Sequence, residues 1–184
     1  MRRVRWAWAG VTVIELLVVL ALLAILAALA APALGQLVSN QRQSTTARDL
    51  WLALALTRSE AIRQGRRMVL CRSADASRCA PAGDWSQGWI LFADPNHNAQ
   101  RDPSEEVLQV WAAVGPGVRV RGNTPVVRYV SYMPQGHTEL VSGAFQAGTI
   151  TVCRAGSSPS PAQQIVISRS GRPRLQQSTV DTCL

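Results

Sequence analysis

The chain has 184 residues with nineteen basic side chains, all arginine, against eleven acids, a formal charge of +8. That length fits one domain plus a modest appendage and can bury a real core, so neither a repeat array nor a scaffold held by disulfides alone is required. The basic excess favours anionic partners such as nucleic acid or lipid head groups.

The first ten residues carry Arg2, Arg3 and Arg5 and end at Gly10. From Leu16 to Leu34 no residue is charged, and the next charged side chain is Arg42. As a helix, such a run spans a hydrocarbon core of about 30 Å. Arginines on the short side predict a cytoplasmic leader and an outward-facing C-terminal domain. A secretory signal cut near Ala28-Leu29-Ala30 is the rival reading. Glu15 argues against it, because a carboxylate at the head of an apolar helix is costly without a partner.

Gly10 followed by an apolar stretch with Glu15 at its fifth position resembles the class III leader of type IV pilins and type II secretion pseudopilins. The resemblance implies that a prepilin peptidase cuts after Gly10 and methylates the new terminus at Val11. It also implies that Glu15 neutralises the terminal amine of a neighbouring subunit during assembly. Val11 stands where that family usually has Phe. The expected organisation is a cleaved leader over 1–10, a transmembrane and assembly helix over 11–35, and a periplasmic domain over 36–184.

Pro32 has no N–H to donate, which predicts a kink or local melt. Beyond it Leu37, Val38, Ala47, Leu50, Trp51, Leu54, Ala55, Ala61 and Ile62 recur at helical spacing, with Arg42, Arg48, Arg58 and Arg63 on the other face. Gly65 is the expected stop.

After Gly65 the period changes. Met68–Leu70, Trp89–Phe92, Val107–Trp111, Val118–Val120, Val126–Tyr132, Thr149–Val152 and Gln164–Ile167 read as strands between turn signals. A long helix followed by about seven short strands is an α+β arrangement with mostly antiparallel sheets. The four cysteines lie beyond the apolar stretch and suit an oxidising compartment. Their spacing does not resemble a zinc site. Of three connectivities, Cys71–Cys79 with Cys153–Cys183 is expected.

Several segments carry a closer resemblance. They are Leu56 to Gly65 followed by Val69-Leu70-Cys71, Trp85 to Ile90 with Phe92-Ala93-Asp94, and Ile165 to Arg172. In this order they resemble the GspH/FimT group of minor type IV pilins and minor pseudopilins. The implied fold is type IV pilin-like, with a long N-terminal transmembrane helix packed on a mostly antiparallel β domain. The implied role is a non-catalytic filament subunit in the inner membrane, reaching the cell surface when assembled, with other pilin or pseudopilin subunits as partners.

The segment Ser168 to Arg174 holds Arg169, Arg172 and Arg174 around Gly171, with Pro173 stiffening it. Guanidinium forks grip phosphates without reading sequence. A Gly-Arg-x-Arg element near the C-terminus is similar to the DNA-contacting motif of FimT-type pilins, so non-specific double-stranded DNA binding at Arg172 and Arg174 is expected. Arg169 and Arg154 are expected to widen the patch. Without DNA binding, the alternative is a purely structural pseudopilin or priming subunit.

Asp94, Asn96, Asn98, Gln100, Asp102 and Glu105 follow EF-hand loop spacing, but Ala99 replaces the turn glycine and strands flank the loop. Asx-turn chemistry accounts for the pattern, so no metal or other cofactor is expected. His97 and His137 are far apart, and neither a nucleophile elbow nor paired carboxylates stand out, so no enzyme activity is expected. Trp85 and Trp89 are expected in the core.

Overall fold

The computed structural model describes Gly10 and residues 12–183; among these, the side chains of Leu29 and residues 31–33 are also left aside. The leader residues 1–9 and Val11 lie outside the described residues. The chain divides between Val38 and Ser39 into two units.

Helix α1 runs from Val13 to Gln64. Its backbone stays helical through Pro32, so the melt expected there does not occur. In the first unit the described apolar side chains from Val13 to Leu26 stand exposed. Among the described residues no helix is long and apolar enough to cross a membrane; the uncharged run of the sequence includes side chains outside that set.

In the second unit the helix buries Gln43, Ala47, Leu50, Ala53, Leu54, Thr57 and Ala61, a stripe at three- and four-residue spacing. Leu37, Val38 and Ile62, expected on the apolar face, are exposed. Gly65 at φ +63° ends the helix, a left-handed cap that glycine adopts without strain.

Eight strands follow: β1 (Met68–Arg72), β2 (Trp89–Ala93), β3 (Val107–Trp111), β4 (Val118–Gly122), β5 (Tyr129–Tyr132), β6 (Gly148–Arg154), β7 (Ser160–Ile167) and β8 (Pro173–Val180). They form two four-stranded antiparallel sheets, ordered β3-β2-β1-β5 and β4-β6-β7-β8. The expected strand Val126–Tyr132 is shorter, because a 3-10 turn at Thr124–Val126 precedes β5.

The main core gathers the helix stripe, Met68, Leu70 and Leu91 of the first sheet, and Val120, Ile150, Val152 and Ile165 of the second. A smaller core of Val69, Cys71, Ile90, Phe92 and Ala99 covers the other side of the first sheet. This explains why β1 and β2 read as unbroken apolar runs whereas β4 alternates Val with Arg. The former are buried on both faces, the latter on one. Trp85 and Trp89 are buried as expected.

Candidate functional site

The β7–β8 hairpin carries the arginine element. Ile167 pairs with Pro173, and the Gly171 N–H donates to the Ser168 carbonyl at 2.8 Å. Arg174 therefore belongs to β8 and not to the turn. Pro173 opens that strand at a sheet edge, where its missing N–H costs no ladder bond. Arg172 and Arg174 are both exposed. Among the described residues neither takes part in an ion pair.

Gly171 is buried and has φ +74°. A Cβ there would collide with the carbonyl oxygen of Gly136, in the turn that follows β5. Gly136 in turn accepts from Arg58 Nε of α1 at 2.8 Å. A second anchor is Trp51, whose indole N–H donates to the Pro173 carbonyl at 3.0 Å. Trp51 thus holds the segment on which Arg172 and Arg174 stand, and Arg58 holds the neighbouring turn at Gly136. Arg48, also exposed, lies across a groove of about 620 Å³ from Arg174, lined by Trp51, Leu52, Pro173 and Leu175. Helical spacing alone assigned Arg48 and Arg58 to a solvated face and Trp51 to the apolar face; their contacts depend on which strand edge meets the helix.

Arg169 is engaged by an aromatic ring. Its guanidinium sits 5.0 Å from the centre of the exposed Phe145 ring, a cation–π contact. Arg154 lies at the far end of β6: Gly148 pairs with Ile167 beside the hairpin, whereas Arg154 pairs with Val118. That is roughly 20 Å away along the strand. Arg154 therefore does not widen the hairpin patch, because β6 runs its full length between them.

At the other candidate site, Gly10 is exposed with open space around it, and its neighbour Val11 lies outside the described residues. Thr12 caps α1: its Oγ1 accepts from the Glu15 N–H at 3.3 Å. The pair matches Ser/Thr-x-x-Glu capping spacing, a signal that the sequence reading passed over. Glu15, exposed in the first turn, is favoured there by the helix dipole.

Both disulfides form as expected, Cys71–Cys79 and Cys153–Cys183. Arg72 braces the first loop from within, donating to the carbonyls of Ala80, Pro81, Gly83 and Val127. Burial, with Arg128 nearby, pulls its pKa down.

Most of the polar side chains in the Asp94–Glu105 loop bond within the loop, although Glu105 Oε1 is buried without a partner among the described residues. Asp94 accepts from the N–H groups of Asn98 and Ala99 and lies 3.2 Å from the buried Arg67 guanidinium. Asn96 and Asn98 both donate to Asp102, and Glu105 accepts from the Asp102 N–H at 2.9 Å. Burial raises the Glu105 pKa. Among the described residues no acidic or histidine cluster is arranged to hold a metal. His137 lies 3.6 Å from Glu139.

The sequence profile of the family described as Type II transport protein GspH matches residues 46–171. Pilin-like protein PilA1 of Thermus thermophilus is 32% identical over 177 residues, covering 91% of this chain and 97% of that protein. The crystal structure of the type IV minor pilin FimU of Pseudomonas aeruginosa superposes with a TM-score of 0.54 at 18% identity, over 79% of this chain and 97% of FimU. A second crystal form of FimU gives 0.51 at 19% identity, over 77% and 99%. The fold is that of a type IV pilin, and the chain belongs to the GspH family of minor type IV pilins and type II secretion pseudopilins.

Proposed function

We propose that this chain is a minor type IV pilin of the FimT type, which carries a non-specific grip for double-stranded DNA and serves uptake in natural transformation. The observation that carries the reading is the arginine pair itself. Arg172 and Arg174 are exposed, held from behind by Trp51 and Gly171, and take part in no ion pair among the described residues. Preorganised guanidinium groups free of acidic partners suit phosphate binding.

In this reading a prepilin peptidase removes residues 1–10 and Val11 becomes the methylated terminus. Residues 11–35 anchor the subunit in the inner membrane before assembly with other pilin subunits. Glu15 pairs with the terminal amine of a neighbour, and Thr12 fixes the start of the helix between them. The domain lies in the periplasm and reaches the surface in the pilus.

The test is a strain carrying Arg172→Ala with Arg174→Ala. Transformation should fall while pilus number stays unchanged. Unaltered transformation with normal piliation would reject the DNA role and leave a structural pilin or pseudopilin.

A further inference from the structure

The two sheets differ in what covers their outer faces. That of the first is roofed by the smaller core around Val69 and Phe92. On the second, residues paired directly across strands share a face, so the register lists what points away from the main core. Arg121, Thr151, Gln164 and Gln176 form one row. Thr149, Val166 and Arg174 form the next row towards the hairpin. On the other side lies Arg119, Cys153, Ala162 and Ser178, where the bridge to Cys183 sits. Arg119 and Arg121 alternate with the buried Val118 and Val120, and both are exposed, as is Arg174.

The charge on this sheet has one sign. Its strands carry Arg119, Arg121, Arg154 and Arg174 and no acid. Five acids, Asp75, Asp94, Asp102, Glu105 and Glu106, lie in the loops joining the strands of the other sheet, whereas Asp84 caps the 3-10 turn Trp85–Gln87 beside β4. Asp84 lies 4.0 Å from Arg119 and lines one cavity with Arg119 and Arg121, a single carboxylate beside two guanidinium groups. Asp181 lies at the end of β8 away from Arg174, where its carbonyl accepts from Ser158.

Arg119 and Arg121 are one strand repeat apart, roughly 7 Å, and β4 is three strand spacings from β8, roughly 14 Å. The major groove of a DNA duplex is about 12 Å wide. We infer that the outer face of this sheet is a docking surface for duplex DNA. Arg119 and Arg121 meet one phosphate backbone, and Arg174 with Arg172 meets the other. The uncharged Thr151, Gln164 and Gln176 between them offer hydrogen bonds without repelling phosphate. The inference rests on the DNA reading of the hairpin and extends the contact to the opposite edge strand.

The experiment measures binding of a short fluorescent duplex to the full-length protein in non-ionic detergent, as a function of salt. Wild type, Arg119→Gln with Arg121→Gln, and Arg172→Ala with Arg174→Ala are compared, each checked for intact disulfides and an unchanged melting temperature. Each phosphate contact contributes about 0.9 to the slope of log K against log salt, so the β4 variant should flatten the slope by about two. A β4 variant indistinguishable from wild type, with the hairpin variant impaired, overturns the inference and leaves the hairpin grip standing. Polyglutamate competing as well as duplex at equal charge assigns the face to an acidic protein and overturns it too. A wild type that does not bind even at low salt removes the hairpin grip and this face together.

Discussion

Trp51 and Pro173, 122 residues apart, are joined by one hydrogen bond of 3.0 Å from the indole N–H to the proline carbonyl. The bond ties the helix to the start of β8, between the two arginines proposed to hold DNA. Trp51→Phe keeps most of the ring packing and removes the donor. It should cost about 1 kcal/mol in urea unfolding and weaken duplex binding several-fold at unchanged salt slope, because the phosphate contacts remain. A change in slope would mean that Trp51 orders more than the backbone of Pro173.

Much of this arrangement was legible beforehand, and its gaps have physical causes. Strands β1, β2 and β4 stand out because apolar residues fill the positions that face a core. Strand β8 was missed because it is an exposed edge strand whose Leu175-Gln176-Gln177-Ser178-Thr179 run buries little, so the period-2 signal is absent. Arg154 was grouped with the hairpin because adjacency of strands says nothing about which end of a strand a residue occupies; only the register does. The close approach of Gly171 to Gly136 pairs two loops far apart in sequence. Local pattern carries no trace of such a contact.

Asp94 is fully buried against Arg67, with two backbone N–H groups donating to its carboxylate. Asp94→Ala leaves a buried guanidinium without its counter-charge and two amides without an acceptor. Breaking a buried pair from one side costs about 3–5 kcal/mol. Equilibrium unfolding should show a loss of that size and no gain from added calcium. Calcium-dependent stabilisation of the wild type would contradict a loop held by its own hydrogen bonds without metal.

The disulfides should differ in weight. Cys153–Cys183 closes a loop with a sequence separation of 30, against 8 for Cys71–Cys79. Chain entropy assigns about 3–4 kcal/mol to the longer loop and about 2–3 to the shorter. Arg72 also braces the shorter loop through four carbonyls. Cys153→Ser with Cys183→Ser should therefore lower the unfolding midpoint more than Cys71→Ser with Cys79→Ser, and the reverse order would refute the bracing role of Arg72.

Burial raises the Glu105 pKa in the folded state. The ionised carboxylate then opposes folding at pH above its unfolded value, and the penalty vanishes once both states are protonated. Glu105→Gln retains an acceptor for the Asp102 N–H. It should be more stable than wild type at neutral pH, with the gain shrinking as pH falls through the window between the raised folded pKa and the ordinary carboxylate value. Thermal melts of both proteins across that range check the sign; a gain that grows on acidification would contradict it.

The central claim is that Arg172 and Arg174 grip phosphates, and the salt dependence of duplex affinity tests it most directly. For the full-length protein, log K should fall linearly with log salt, without preference for sequence, as condensed counterions are released. Removing one arginine should flatten the slope by about one, and Arg172→Ala with Arg174→Ala by about two, with most binding lost and the fold retained. A folded double variant that keeps the wild-type slope and affinity would contradict the account.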